Sequence, residues 1–292
     1  MNVVTGALSY IGRAIAEELL ERGERVRSLS RRDVPGDPLR EHIEVAPLQF
    51  DNPDLGGVTT LYNTYWIRFE RGGATFAQAV ANTIRLFEAA RRAGVERIVH
   101  ISVANADQAD DLPYFRGKHE LEAWLATSGL PHTIVRPTLV FGANDILVNN
   151  IAWILRRSPL FLVPGRGDYL VQPVSVRETA RIAVDTPAGL TVDAAGPETM
   201  TFGELVTRTR DAIGARCVVA AGPRAAGLGI IRIVGAMLRD VVVTADELSG
   251  LERSLLTSSH EPLSSERFSA WLQLHADELG RRYVSELQRN FK

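Results

Sequence analysis

Along the first half of the chain, apolar positions alternate between two rhythms: short β-branched runs and longer stretches with a helical period. "NVVTG" is a run of the first kind. "IGRAIAEELLERG" follows it, with Ile11, Ile15, Leu19 and Leu20 on one stripe and Gly23 as a stop. The same alternation predicts strands in "RVRSLSR", "HIEVAPLQF", "GVTTLYNTYW", "VERIVHISV" and "HTIVRP". Helices are predicted over "TFAQAVANTIRLFEAARRAG" and from Tyr114 to about Thr127. Strands joined by helices of this length imply βα crossovers and a mainly parallel, doubly wound α/β sheet. Several strands read as continuous Val/Ile runs because both faces of such a sheet are covered.

Beyond about Gly142 the rhythm loosens. "NDILVNNIAWILRR" predicts a helix capped by Asn144 or Asp145. "FLVPGRGDYLVQPVSVRETARIAVDT" predicts short extended pieces around turns and then a short helix, and "LTVDAAG" a further strand of the sheet. Thr201 and Glu204 form a capping-box signature for a helix over "TFGELVTRTRDAIG". From about Ala245 the chain predicts mostly helix, with Ser264 or Ser265 as caps and Phe268, Trp271, Leu272 and Leu279 as packing residues. The expected division is therefore a core over residues 1–142 and a smaller, mainly helical region over 143–292, some of whose segments return to the core.

With 292 residues the chain can bury a substantial core, and its 45% hydrophobic and 23% charged residues are those of an ordinary globular protein. A formal net charge of -2, without interleaved aromatic and basic residues, argues against a nucleic-acid partner. The lone Cys217 excludes an intrachain disulfide framework and fits a reducing compartment. The six histidines show no short metal-binding spacing, so no metal is expected. The chain opens directly on its first strand without a targeting segment, which makes the cytoplasm the expected location. "LGIIRIVGAMLRDVVVT" carries Arg232, Arg239 and Asp240, charges that a membrane span would bury at a cost. A half-buried helix, or a peripheral or partner-facing one, is expected there in place of an integral membrane segment.

Between the first strand and first helix, "TGALSYIG" runs from Thr5 to Gly12. A pyrophosphate bound there needs close backbone approach and the free N–H groups of a helix N-terminus. Gly6 permits the tight turn and Gly12 close helix–sheet packing. Ser9 stands where a middle glycine would be useful; its hydroxyl is a candidate phosphate contact, although its Cβ narrows the approach. Tyr10 and Ile11, at the helix start, complete this group of cofactor-binding candidates. A purely structural turn is the alternative. The second strand ends in "SLSRR", with no acidic residue before Asp33 to accept from the ribose diol of NAD. Ser30, Arg31 and Arg32 instead offer donors for a 2′-phosphate, which favours NADP over NAD unless the arginines are a solvent-facing basic pair. Asp51, after "PLQF", is a candidate acceptor for the adenine amino group or a cap for the following turn.

"LPYFRGKHE" sets Tyr114 and Lys118 four residues apart on one helix face, and Ser102 ends the fifth strand twelve residues earlier. Strand ends in an open α/β sheet border the ligand crevice. There Tyr114 would exchange a proton with a carbonyl or alcohol oxygen, Lys118 would favour the phenolate and contact the nicotinamide ribose, and Ser102 would hold the same oxygen. Two ordinary surface residues are the competing interpretation of the spacing.

These pieces together resemble the short-chain dehydrogenase/reductase superfamily in its extended or atypical branch. "TGALSYIG" is similar to its nucleotide turn, "YFRGK" to its Tyr-x-x-x-Lys pattern, and "HISV" and "HTIVRPTLVFG" to the strands bordering its nicotinamide site. The likeness is particularly to the NAD(P)-binding subunit of respiratory complex I and to bacterial NAD-dependent epimerase/dehydratase-like proteins. The resemblance implies a Rossmann-type sheet, a carbonyl/alcohol oxidoreductase or an epimerase or dehydratase, and the trio Ser102, Tyr114 and Lys118 as catalytic. It further implies that Asn63, Pro137 and Thr138 line the cofactor site. Substrate contacts would come from the C-terminal region, where Asn144, Asn149, Asn150, Trp153 and Arg166 are candidates alongside their plainer roles as caps, core or surface residues. A small-molecule substrate is expected, with a homodimer or an assembly partner as further associations. Relatives that bind the nucleotide without turnover leave a structural or regulatory role as the alternative.

Overall fold

The computed structural model describes residues 1–31 and 34–290. Contacts divide the chain into two compact units, one of residues 1–137 and 176–194, the other of residues 138–175 and 195–292. The first unit begins with β1 (Asn2–Thr5), α1 (Tyr10–Glu21), β2 (Val26–Ser30), β3 (Glu44–Pro47), β4 (Thr60–Asn63), α2 (Phe76–Arg92), β5 (Arg97–Ile101), α3 (Pro113–Thr127) and β6 (His132–Pro137). The chain then forms β7 (Leu139–Phe141), α4 (Leu147–Leu155), β8 (Leu160–Pro164), β9 (Leu170–Val171) and β10 (Pro173–Ser175) of the second unit. It returns to the first with α5 (Val176–Asp185) and β11 (Thr191–Ala194).

The seven strands of the first unit lie in the order β11-β6-β5-β4-β1-β2-β3, all parallel, as the alternating rhythm predicts. Ile15, Ala16 and Leu19 of α1 pack with Ala180, Ile182 and Ala183 of α5 in one apolar cluster with Val4, Val99 and Val135 of the sheet. Leu86 and Phe87 of α2 and Leu121 and Leu125 of α3 form another with Val3, Leu61 and Ile98. Successive residues of a strand point to opposite faces, so both faces of the sheet are covered. The chain order reverses between β1 and β4, and such a switch point opens a crevice outside the carboxyl ends of the strands.

The second unit continues with β12 (Met200–Thr201), α6 (Phe202–Ala212), β13 (Val218–Gly222), α7 (Arg224–Leu238), α8 (Ala245–Glu252), α9 (Phe268–His275) and α10 (Glu286–Asn290). Its strands form two-stranded pairs, β7 with β10, β9 with β12 and β8 with β13, among helices packed on Phe141, Leu155, Leu205, Phe268 and Trp271. The capping box expected at α6 is present: the Thr201 hydroxyl accepts from the Glu204 N–H and the Glu204 carboxylate from the Thr201 N–H. Asp145, and not Asn144, caps α4, its carboxylate accepting from the N–H groups of Leu147 and Val148. For α9 neither Ser264 nor Ser265 is the cap. The carboxylate of Glu198 takes the Ser269 N–H at 2.8 Å, and among the described residues Ser264 accepts from Glu266 alone. No helix among the described residues is long and apolar enough to cross a membrane.

Candidate nucleotide and catalytic site

The turn after β1 has the geometry that an anion site needs. Gly6 lies in the left-handed region at φ 66° and donates its N–H to the Leu29 carbonyl at 2.8 Å. A Cβ on Gly12 would stand 2.3 Å from the Gly6 carbonyl oxygen, so only glycine lets α1 approach the turn this closely. Ser9 is the N-cap residue but does not cap with its side chain; its hydroxyl donates to the Gly6 carbonyl at 2.6 Å. The first N–H groups of α1, those of Ile11 and Gly12 among them, therefore keep their anion-binding capacity. These residues fit the pyrophosphate of a dinucleotide.

Beyond β2, the Arg31 guanidinium lies 5.8 Å over the Tyr65 ring. Arg32 lies outside the described residues. Tyr65 packs on Phe50, with centroids 4.9 Å apart, and its hydroxyl accepts from the Asn82 amide at 3.2 Å. Arg85 joins Asn82 to Asp51, whose carboxylate it pairs at 3.1 Å. Asp51 thus braces the aromatic platform through α2 and does not cap the turn that follows it. Phe50 and Tyr65, which pack beside Arg31, are further candidates that strand patterning leaves unmarked. The one signal for them is aromatic residues immediately after strand ends, in "QFD" and "NTYW".

At the ends of β4 and β5, buried polar groups converge. Thr5 donates its hydroxyl to the Asn63 oxygen at 3.3 Å and accepts from the N–H groups of Thr64 and Tyr65. Asn63 is the last residue of β4 and fully buried; its amide contacts His100 Nδ1 at 3.0 Å. It braces the strand ends rather than lining an open surface. The Lys118 ammonium, buried on α3, donates to the Ile101 carbonyl at 2.7 Å and lies 4.6 Å from the centre of the Trp66 ring. Tyr114, one turn earlier and half-buried, meets the same indole edge-on at 6.0 Å and Phe76 at 6.1 Å. Next to Ile101, the Ser102 hydroxyl is buried and finds no partner among the described residues. Trp66 was not marked by the sequence pattern, yet it touches both members of the Tyr–Lys pair.

Burial pushes the Lys118 ammonium down to about 7, with Glu122 acting weakly the other way. His100 is held well below its ordinary value, first by burial and then by the Lys118 charge, so its ring is neutral. The lysine shift fixes a sign for stability. Between about 7 and 10.5 the unfolded chain holds the Lys118 proton and the folded chain does not. Wild type is therefore expected to gain stability over Lys118→Met as pH rises through this window, with a limiting slope of about 1.4 kcal/mol per pH unit. Urea unfolding of both proteins across that range checks it; parallel pH dependences would contradict the burial of a titrating amine.

The other expected contacts are dispersed. The Pro137 carbonyl accepts from the Ala104 N–H, and the Thr138 hydroxyl donates to the Gln172 carbonyl within the second unit. Asn149 and Asn150 are clamps rather than pocket residues: their amides bond the backbone of Gly280, Arg282 and Val284. Trp153 packs on Tyr283 and under Arg157, and Asn144 is exposed in a left-handed turn. Arg166 is 89% exposed, pairs with Asp168 and borders a concavity of about 560 Å³ with Thr201, Glu204 and Arg208. Another concavity, of about 570 Å³ beside Pro47, Asn52 and Asp54, contains none of the expected site residues. Among the described residues no cluster of three or more His, Cys, Asp or Glu is arranged to hold a metal ion.

Residues 6–145 match the family described as NAD(P)H-binding. The chain is 32% identical over 172 residues to sterol demethylase protein B of Methylococcus capsulatus, a match covering 49% of this chain and 52% of that protein. It is 23% identical over 235 residues to the mitochondrial NADH dehydrogenase (ubiquinone) 1 alpha subcomplex subunit 9 of Arabidopsis thaliana, covering 72% and 57%. The chain thus spans about half the length of these curated relatives. The NADPH-dependent quinone oxidoreductase of Escherichia coli, solved with NADPH, shares the fold at a TM-score of 0.74 and 20% identity, covering 96% of this chain and 99% of that one. With its glycine turn and all-parallel sheet, the first unit has a Rossmann-type fold, and its residues 6–145 are similar to the NAD(P)H-binding family.

Proposed function

We propose that the protein is an NAD(P)-dependent oxidoreductase acting reversibly on a carbonyl/alcohol pair, with NADP preferred to NAD. The observation that carries this reading is the seating of Lys118. Its ammonium is tied to the Ile101 carbonyl, one residue before Ser102, whose hydroxyl has no partner among the described residues, and one helical turn after Tyr114. The turn from Gly6 to Gly12 would hold the pyrophosphate and Arg31 the 2′-phosphate, while the nicotinamide, when bound, supplies or accepts a hydride. Tyr114 would give a proton to the carbonyl oxygen during reduction and take it back during oxidation. The Ser102 hydroxyl would donate to the same oxygen as its charge develops. A free tyrosine, with a pKa of roughly 10, is a poor base at neutrality; a protonated Lys118 beside it favours the phenolate. For an anionic substrate group, the exposed Arg166 is the candidate contact.

Titrating NADPH and NADH, then screening carbonyl compounds for NADPH oxidation, tests the reading. Arg31→Ala is expected to weaken NADPH about 10- to 100-fold, the worth of a charge-assisted bond, and NADH little. Equal weakening of both would remove the NADP preference. A second reading is favoured by the similarity to a complex I subunit: an NAD(P)-binding protein acting within an assembly. Tight cofactor binding with no turnover across the carbonyl screen would favour it. Epimerisation or dehydration through transient oxidation would be recognised instead by product formation without net cofactor consumption.

A further inference from the structure

Lys118 and Lys292 are the only lysines in a sequence that otherwise uses arginine for its cations. Arginine stays charged in any protein setting, whereas a buried lysine shifts readily. The Lys118 ammonium has no carboxylate partner among the described residues, for Glu122, one turn along α3, is taken by Arg136. Each element packed around it offers something different. β5 supplies the Ile101 carbonyl and the neutral His100, α3 supplies Tyr114, and the segment after β4 supplies the face of Trp66.

Gly117 makes room for that indole. Glycine inside a helix is disfavoured relative to alanine, yet here a Cβ would stand 2.7 Å from Trp66 Cη2 and 3.2 Å from Val80 Cγ2. The ring is pinned by stacking on Phe76 at 5.9 Å and by the edge-on contact with Tyr114. Its Nε1 is buried with no partner among the described residues, so packing and not hydrogen bonding orients it.

Given the catalytic reading of Tyr114 and Lys118, on which this inference rests, we propose that Trp66 is a positioning residue whose π face keeps the Lys118 ammonium charged beside Tyr114, Gly117 being the notch that admits it. A cation over a ring face is attracted by the ring quadrupole, most strongly where water is excluded. Burial lowers the basicity of Lys118, and the indole acts against that push.

Isotopically labelled lysine gives two side-chain signals, and Lys292→Arg identifies which is Lys118. Fluorinated tryptophans placed at position 66 weaken the π face at nearly constant size, whereas a smaller side chain would also let water in. The Lys118 titration midpoint is expected to fall stepwise with fluorine number, by about one unit in all, a tenfold change in the protonated-to-neutral ratio. A midpoint that holds or rises across the series would overturn the proposal. In Gly117→Ala the ring-current displacement of the Lys118 methylene signals should shrink; full retention would contradict the role of the notch. The titration contains neither cofactor nor substrate, so its failure and the failure of the oxidoreductase reading are separate results.

Discussion

Tyr114→Phe is expected to lower kcat/KM for carbonyl reduction by about 10²–10⁴-fold, the range of general acid–base catalysis, while NADPH binds as tightly as it does to wild type. The substitution removes one hydroxyl and keeps the ring, so the contacts with Trp66, Phe76 and Phe115 survive. The expected signature is therefore a fall in kcat with cofactor affinity and unfolding midpoint unchanged. Steady-state kinetics, NADPH titration and urea unfolding on the same preparations check it. Near-wild-type turnover would remove Tyr114 from the chemistry, and a parallel loss of NADPH affinity would make it a binding residue.

Gly12→Ala tests the nucleotide turn with a comparably large effect. The new methyl group would meet the carbonyl oxygen of Gly6 at 2.3 Å and its carbon at 2.9 Å. Both are backbone atoms of a turn held by the bond from Gly6 to Leu29, so no flexible side chain can give way. Relief requires α1 to move off the turn, which overpacks or uncovers Ile15 and Leu19. A loss of about 1–3 kcal/mol in stability is expected, together with at least about tenfold weaker NADPH binding as the helix N-terminus leaves the phosphate position. Gly56→Ala is the control, since a Cβ there meets nothing nearer than 3.8 Å. A Gly12→Ala protein matching that control in unfolding midpoint and NADPH affinity would contradict the close approach of helix and turn.

The sheet was legible in the sequence because its determinants are local: runs such as "NVVT" and "RIVHI" are bounded by turn residues and separated by helical periods. Gly6 and Gly12 were legible for the same reason, since a turn between adjacent elements is a short-range object. What was not legible depends on distant partners. Asn149 and Asn150 look like pocket residues until the backbone that they hold, more than 130 positions along the chain, is brought beside α4. The cap of α9 comes from Glu198, 71 residues away, so the nearby serines were the natural but wrong reading. Asp51 was visible as an acid after a strand, but its pairing with Arg85 depends on how α2 crosses the sheet. Trp66 and Gly117 carried only faint marks, an aromatic just past a strand end and a glycine inside a helix, and each explains the other only once they touch. Lysine usage was a plain sequence signal whose meaning required the burial of Lys118.

The most direct measurement is a crystal structure of the protein with NADPH. The expected result has the pyrophosphate on the N–H groups of Ile11 and Gly12, the 2′-phosphate at Arg31 and the nicotinamide ring beside the Tyr114 hydroxyl and Ser102. A pyrophosphate bound away from the Gly6–Gly12 turn, or a nicotinamide facing away from Tyr114, would contradict it.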